Sequence, residues 1–483
     1  MSNIRYESVF DAVQKLNVID FNDELNESDI SSDMDKRFEF QKQMIYDDET
    51  LTEDEKSKAI NMISNSHDYN KVMYQLGKKR FCEYCQNECF ATQYCEYCMQ
   101  NYLKEKFSDW TSGNNEIDDL IKVCQTVSLH PDMIIEWVPY NSLQNIEFLA
   151  QGGFSKVYTA DWIDGDYFEW DSKSQQLKRY GTIEKVQVVL KNLGNLENAN
   201  KSWFDEAKVH LVISNKYTYL LRCLGLTQDP SNGDYMLIMR RFDTSLRKYL
   251  QSNHDQLKWK ERIEIASSII TSLFHIHIEG LIHKDLHSGN ILYKKFANNW
   301  VISDFGFCGP IGEPLGSVYG NLPYMAPESF TGKGYSLASD VYSIAMLMWE
   351  ISSGQQPFTN YENNFNLAVK IIKGMRPDIV SGTPLKYKEL MEKCWDADPL
   401  KRPDISVVLL EMNEIEKCYY QNISLELFQS ETNTSNLKTS SETKKSEIYQ
   451  FGNLSIEPKN ATEEEQKVPQ SESTDFLQLY NDF

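Results

Sequence analysis

The pattern Cys82-x2-Cys85-x9-Cys95-x2-Cys98 sets four thiols in two close pairs, with Cys89 between them. Thiolates two residues apart can share one ion, so two facing knuckles of this kind predict a tetrahedral zinc site. Disulfides are the competing chemistry, and a reducing compartment disfavours them. A second group of residues lies further along. "EFLAQGGFSKVY" (147–158) runs from strand-like residues through two adjacent glycines into another apolar stretch, as a loop covering phosphates would. Its glycine pattern is partial, because Ala150 and Ser155 hold the outer positions of G-x-G-x-x-G, and a partial pattern is weak on its own. Val188-Val189-Leu190-Lys191 ends a strand on a charge able to pair with phosphate. "HKDLHSGN" places Asp285 five residues before the side-chain amide of Asn290. Asp304-Phe305-Gly306 follows the apolar pair Val301-Ile302, and Ala326-Pro327-Glu328 closes a loop beyond it. Singly, each has an ordinary reading: a strand-end lysine is usually solvated and an Asp before Gly is usually a turn. Five in this order cannot all be ordinary.

The elements that must position these residues follow from periodicity. Strand-type runs come first, at Phe154–Trp162, Lys185–Lys191 and Tyr235–Met239. Helical periodicity follows, clearest in 259–278, where Ile263, Ala266, Ile270, Leu273 and Phe274 share one stripe. Strands first and helices later predict a two-lobed α+β architecture over 144–417. Ahead of it stand an acidic, partly disordered region (1–80), the cysteine-dense finger (81–100) and a connecting segment (101–143) whose periodicity is helical at Ile117, Leu120, Ile121 and Cys124. Residues 418–483 form an acidic tail with the composition of a disordered segment.

The 483 residues carry a net charge of −22, concentrated at the ends. Residues 1–50 hold 13 acidic and 5 basic side chains, and residues 419–483 hold 11 and 5. This balance argues against nucleic acid as a partner, since that binding is dominated by phosphate neutralisation. No apolar run reaches the ~18 residues of a membrane span, and Met1–Asp11 lacks the apolar stretch of a secretory signal. A cytoplasmic protein is expected, with the nucleus as the other compartment.

The ordered motifs resemble those of the protein kinases over residues 144–417. "HSGN", "YMAPE" and "CWDADP" are most similar to the tyrosine-kinase-like group, whose members mostly phosphorylate serine and threonine. The finger together with "WTSGNNEIDDLI" (110–121) resembles an expanded fungal branch of that group. The resemblance implies a small β-rich lobe, a larger helical lobe and an ATP-dependent transfer of phosphate to protein hydroxyls, acting in intracellular signalling. Lys191, held by Glu206, would bind the α- and β-phosphates. Asp304 and Asn290 would hold Mg2+, with Mn2+ as the alternative ion, and Asp285 would orient the substrate hydroxyl. The loop Ala150, Gln151, Gly152, Gly153, Phe154, Ser155 and Val157 would cover the nucleotide. Val189, Met239, Arg241 and Leu292 would surround its base. Asp340 would steady the catalytic loop, and Arg402 would pair with Glu328.

Three departures from the family pattern bear on activity. If Ala150 or Ser155 had to adopt positive φ, each would cost ~1–2 kcal/mol. Lys284 replaces the usual arginine and offers only a point charge to a phosphate on the activation loop, where Ser317, Tyr319 and Tyr324 are the hydroxyls. His287 and Asn321 replace a lysine–threonine pair, and a hydrogen bond between them is the expected substitute. Protein substrates are the expected partners, with further protein contacts through the finger or acidic flanks. The alternative reading is a pseudokinase scaffold that binds nucleotide or partners with little transfer.

Overall fold

The computed structural model describes residues 5, 8, 9, 12, 13, 16, 34–151, 155–182, 185–194, 202–213, 216, 217, 220–295, 298–310, 318–420, 446–449 and 457–461. Helices α1 (Met34–Asp47) and α2 (Glu53–Tyr74) occupy the acidic N-terminal region. Thr52 and Glu55 start α2 with a reciprocal capping box, and the helix runs well past Met62. Asp68 on α2 accepts hydrogen bonds from Thr92 N, Thr92 Oγ1 and Gln93 N, which ties this helix to the cysteine segment. That segment is an antiparallel pair, β1 (Arg80–Phe81) and β2 (Glu88–Cys89), followed by α3 (Glu96–Glu105).

The "WTSGNNEIDDLI" stretch builds a helix start. Asn114 Oδ1 accepts from Glu116 N and Ile117 N, while Asp118 accepts from Ser112 N (2.8 Å) and Thr111 Oγ1 (2.6 Å). Two side chains thus satisfy the orphan donors and preceding turn of α4 (Asn115–Val127). The stripe of Ile117, Ile121 and Cys124 is buried, as the periodicity predicts, but the segment does more than connect. It packs α4 into the small lobe, each fully buried isoleucine contributing ~1.5–3 kcal/mol.

The small lobe is a six-stranded sheet in the order β3-β9-β10-β8-β5-β4. Its strands are β3 (Glu136–Trp137), β4 (Leu143–Gln151), β5 (Lys156–Trp162), β8 (Val186–Gly194), β9 (Cys223–Gln228) and β10 (Tyr235–Arg240). A separate hairpin, β6 (Tyr167–Asp171) and β7 (Gln176–Arg179), is inserted between β5 and β8. Period-two alternation sorts the sheet into two faces. Ala160, Trp162, Val188, Leu190, Met236 and Ile238 pack on one. Val189, Leu237 and Met239 pack on the other, with Ile117, Ile121 and Cys124 of α4 and with Ala207 and Leu211 of α5 (Ser202–Ile213). Lys191 shares that second face and pairs with Val157 on β5 and Leu237 on β10.

The large lobe starts with β11 (Thr244–Ser245), α6 (Leu246–Asn253) and α7 (Trp259–Ile278). On α7, Ile263, Ala266, Ile270 and Leu273 are buried and Phe274 is half-buried, so the predicted stripe faces the core. Short strands β12 (Leu281–Ile282), β13 (Ile291–Lys294), β14 (Asn299–Ile302), β15 (Gly309–Pro310) and β16 (Val318–Gly320) carry the motif loops. They are followed by α8 (Pro327–Phe330), α9 (Leu337–Ser353), α10 (Phe365–Ile372), α11 (Leu385–Cys394) and α12 (Ile405–Tyr420). Within the tail, β17 (Glu447–Tyr449) pairs antiparallel with β16, and residues 457–461 lie against the large lobe.

Arg402 and Glu328 form a two-pronged ion pair (2.6 and 2.7 Å), buried at 0% and 4% side-chain exposure. Ser339 Oγ and the Ala338 carbonyl complete the site. Removing one partner strands the other charge in the core, so Arg402→Ala should destabilise the large lobe by ~3–5 kcal/mol. Chemical denaturation checks this, and a change below ~1 kcal/mol, typical of an exposed pair, contradicts it.

Candidate active site

The 283–290 loop is built around Asp340 on α9. Its carboxylate, 1% exposed, accepts from His283 N (2.7 Å) and Lys284 N (3.0 Å) and is bonded to His277 Nε2 (3.0 Å). These bonds hold Lys284 at φ +69°, a left-handed conformation unusual for a side-chain-bearing residue. Asp304 has φ +63° in the facing loop. Such conformations cost ~1–3 kcal/mol each and persist only where the surroundings over-determine them.

His283 joins the two loops. Asp285 N donates to its Nδ1 (3.3 Å), so the neutral ring carries its proton on Nε2 and donates to the Ser303 carbonyl (3.1 Å). Burial keeps His283 neutral by pushing its pKa down. Phe305 is buried between two imidazoles, His210 of α5 (centroids 4.8 Å apart) and His283 (5.9 Å). Burial, then the Lys191 charge, lowers His210 to about 3. Uncharged edge-to-face contacts therefore couple α5 to the 283–290 loop. The spacing of the motifs held no signal for it.

Lys191 Nζ donates to Asp304 Oδ1 at 2.6 Å. Burial acts to raise the Asp304 pKa, but the ammonium charge and its hydrogen bond outweigh it and hold the carboxyl well below the usual range. Glu206 lies on α5, and its side chain falls outside the described residues, as do Gly152, Gly153 and Phe154. Ala150 pairs with Val157 in the β4–β5 ladder and is absent from the left-handed region, so it does not incur the strain that positive φ would bring. Val189, Met239 and Leu292 gather in one apolar cluster with Val301 and Phe242. Arg241 turns its guanidinium to Gln187 (3.0 Å), and its carbonyl accepts from Lys294.

Asp285 sits at the centre of the cleft, 4% exposed. Asn290 Nδ2 donates to its carbonyl (3.0 Å), and Asn321 N donates to Oδ1 (3.2 Å). Burial first, then the charge of Asp304, raises its pKa to about 7. Neutralising Asp304 would return it toward the ordinary carboxylate range. The expected His287–Asn321 hydrogen bond does not form. His287 Nδ1 instead accepts from Gly289 N (2.9 Å), and Nε2 lies 3.1 Å from Ser446 Oγ of the tail. Ser446 Oγ also donates to Asp285 Oδ1 (2.9 Å), a contact no motif foretold. Among the activation-loop hydroxyls, Tyr324 is buried with its hydroxyl on Glu350 (2.6 Å), Tyr319 donates to the Phe307 carbonyl (3.1 Å), and Ser317 lies outside the described residues. Tyr324 is thus a core residue and not an accessible acceptor.

The sulfurs of Cys82, Cys85, Cys95 and Cys98 lie within 4.8 Å of one another, with Cys82–Cys98 at 3.7 Å and Cys85–Cys95 at 3.6 Å. Disulfides require ~2.05 Å, whereas a tetrahedron of ~2.3 Å zinc–sulfur bonds has edges of ~3.8 Å. The donor set fits a tetrahedral metal ion. Cys89 is not one of the four, and its sulfur donates to the Arg80 carbonyl. The finger is not a free module: Cys89, Cys95, Met99 and Leu103 pack with Trp170 and Leu177 of the inserted hairpin. Among the described residues, no helix is long and apolar enough to cross a membrane.

A family model described as "Protein tyrosine and serine/threonine kinase" matches residues 143–412, more than half of the chain. The chain belongs to this kinase family. A dual serine/threonine and tyrosine protein kinase of Pimephales promelas is 33% identical over 227 residues, covering 45% of this chain and 25% of that protein. The human protein of the same description is 36% identical over 177 residues, 36% of this chain and 18% of its own length. A probable LIM domain-containing serine/threonine-protein kinase of Dictyostelium discoideum is 33% identical over 175 residues, 36% of this chain and 27% of its own. The matches therefore span at most 27% of each of these relatives.

Asp340 gives this kinase domain its most exposed weakness. Asp340→Ala leaves the buried His283 amide and the part-buried Lys284 amide without their partner, at ~1–3 kcal/mol for the buried one. A lowered melting temperature is expected, with faster hydrogen exchange at those two amides. Unchanged exchange at both would contradict the role given to Asp340.

Proposed function

We propose that the chain is an active ATP-dependent protein kinase, with serine and threonine as its preferred acceptors. The observation that carries this reading is the convergence of Lys191, Asp285, Asn290 and Asp304 from three separate stretches of sequence into one cleft. In this reading Asn290 and Asp304 hold the magnesium ion through oxygen donors, as a hard cation requires; the Lys191 ammonium already on Asp304 supports a cation-binding carboxylate. When bound, the ion offsets the charge of the phosphates. Lys191 binds the nucleotide phosphates, and Val189, Met239 and Leu292 surround the base. Asp285 accepts the hydroxyl proton of the acceptor, a contribution of ~10²–10⁴ in rate, and its amide partner Asn321 holds Oδ1 in place. His210 and His283 keep Phe305 packed, so that α5 and the Asp304 loop move as one unit.

Asp285→Ala and Asp304→Ala should each abolish transfer of phosphate from Mg·ATP to a protein substrate, while circular dichroism stays native. Transfer that survives both substitutions would overturn the reading, and folded wild type inactive toward generic substrates would favour the scaffold.

For the cysteine tetrad we propose structural zinc, in a reducing compartment such as the cytoplasm. Its burial against the inserted hairpin supports a packing role over a partner-binding one. The same finger supports placing the chain in the fungal branch that its motifs resemble. One zinc per chain is expected by metal analysis. Cys89→Ser should retain it and Cys85→Ser should lose it, because only Cys85 belongs to the tetrad. Equal loss in both variants would contradict the assignment.

A further inference from the structure

The C-terminal tail enters the cleft as a bound chain would. β17 pairs with β16 in antiparallel register, Glu447 opposite Gly320, Ile448 opposite Tyr319 and Tyr449 opposite Val318. β16 leads directly into Asn321, whose amide holds Asp285. The residue before β17 is Ser446, and its hydroxyl reaches Asp285 Oδ1 at 2.9 Å and His287 Nε2 at 3.1 Å. A second attachment lies further along the tail. Asn460 Oδ1 accepts from Ala397 N (2.9 Å), its amide donates to Asp396 (3.1 Å), and Lys459 N donates to the Ile372 carbonyl (3.0 Å). Gly374, at φ +99°, makes room for this crossing, since a Cβ there would lie 2.2 Å from Ala461 N. A side chain at 374 would exclude the tail.

Proton placement distinguishes two chemistries for the Ser446–Asp285–His287 group. A hydrolase-like serine would need the imidazole to take its proton. Gly289 N–H points at His287 Nδ1, so the neutral ring is protonated on Nε2 and can only donate to Oγ. The serine proton is therefore directed at Asp285, which is the geometry of a phosphoacceptor.

We propose that Ser446 is phosphorylated by its own chain, presented in cis by the tail strand; this rests on the kinase reading. The Ser446 oxygen forms a bond to the γ-phosphorus of ATP as the bond from that phosphorus to the β,γ-bridging oxygen breaks. The hydroxyl proton passes to Asp285 and ADP leaves. Phosphoserine carries roughly two negative charges, which Asp285 and Asp304 repel, so the modified tail leaves the groove and admits other substrates.

The test is incubation of the full-length chain with Mg·ATP, with site mapping by mass spectrometry and myelin basic protein as a parallel substrate. Phosphate is expected on Ser446, absent in Asp285→Ala. Its rate constant should stay unchanged over about a tenfold range of protein concentration, as an intramolecular step requires. Asn460→Ala, which loosens the second attachment away from the cleft, should slow Ser446 labelling severalfold without slowing labelling of myelin basic protein. Labelled myelin basic protein with unmodified Ser446 overturns the proposal and leaves the kinase reading intact. No labelling of either overturns both. A Ser446 rate constant that rises in proportion to concentration overturns presentation in cis.

Discussion

The buried carboxylate of Asp340 is the constraint on which the cleft depends. It lies on α9, a helix buried along nearly its whole length, and reaches across to the backbone of a loop almost 60 residues earlier in sequence. With two amides and an imidazole on it, Asp340 is satisfied; without it, the loop would have two stranded donors and a left-handed lysine. An ordinary neutral hydrogen bond contributes only ~0.5–1.5 kcal/mol, but leaving buried partners unmet costs more than making the bond contributes. That asymmetry fixes the loop more firmly than the bond strength alone suggests. Asp285 and Asn290 inherit their positions from it.

The small lobe is held from behind in a comparable way. Helix α4 and the sheet share one apolar cluster with α5, the helix that carries Glu206 and His210. The cysteine finger packs on the inserted hairpin beside it. Segments preceding the kinase domain are thus part of the lobe that must meet Asp304. The finger helix α3 packs on α4, and α4 packs on α5, so a change in the finger has a contiguous route to α5. Phe305 extends that route into the large lobe through its contacts with His210 and His283.

Electrostatics in the cleft set a conflict that cations and hydroxyls resolve. Asp285 and Asp304 are both buried carboxylates, and the pair responds asymmetrically. Lys191 stabilises the charge on Asp304, while Asp285 rises toward neutrality and becomes receptive to a proton. The tail hydroxyl of Ser446 donates to Asp285 Oδ1.

Residue types, periodicity and spacing determined the two-lobed fold, the cysteine tetrad and the apolar stripe of α7, all of which are written along the chain. The Arg402–Glu328 pair and the roles of the cleft residues came from the resemblance of the ordered motifs to the kinases. The tertiary structure decided what spacing cannot encode. It made α4 a buttress of α5, because a buried stripe specifies that a helix packs but not on what. It turned His287 to Ser446 and Gly289 instead of Asn321, because a ring's partners depend on which backbone amide reaches it first. It brought a serine from a polar tail, some 160 residues downstream, onto Asp285. Three residues of strand pairing and a contact at Asn460 suffice for that, and neither leaves a periodic pattern for sequence to show.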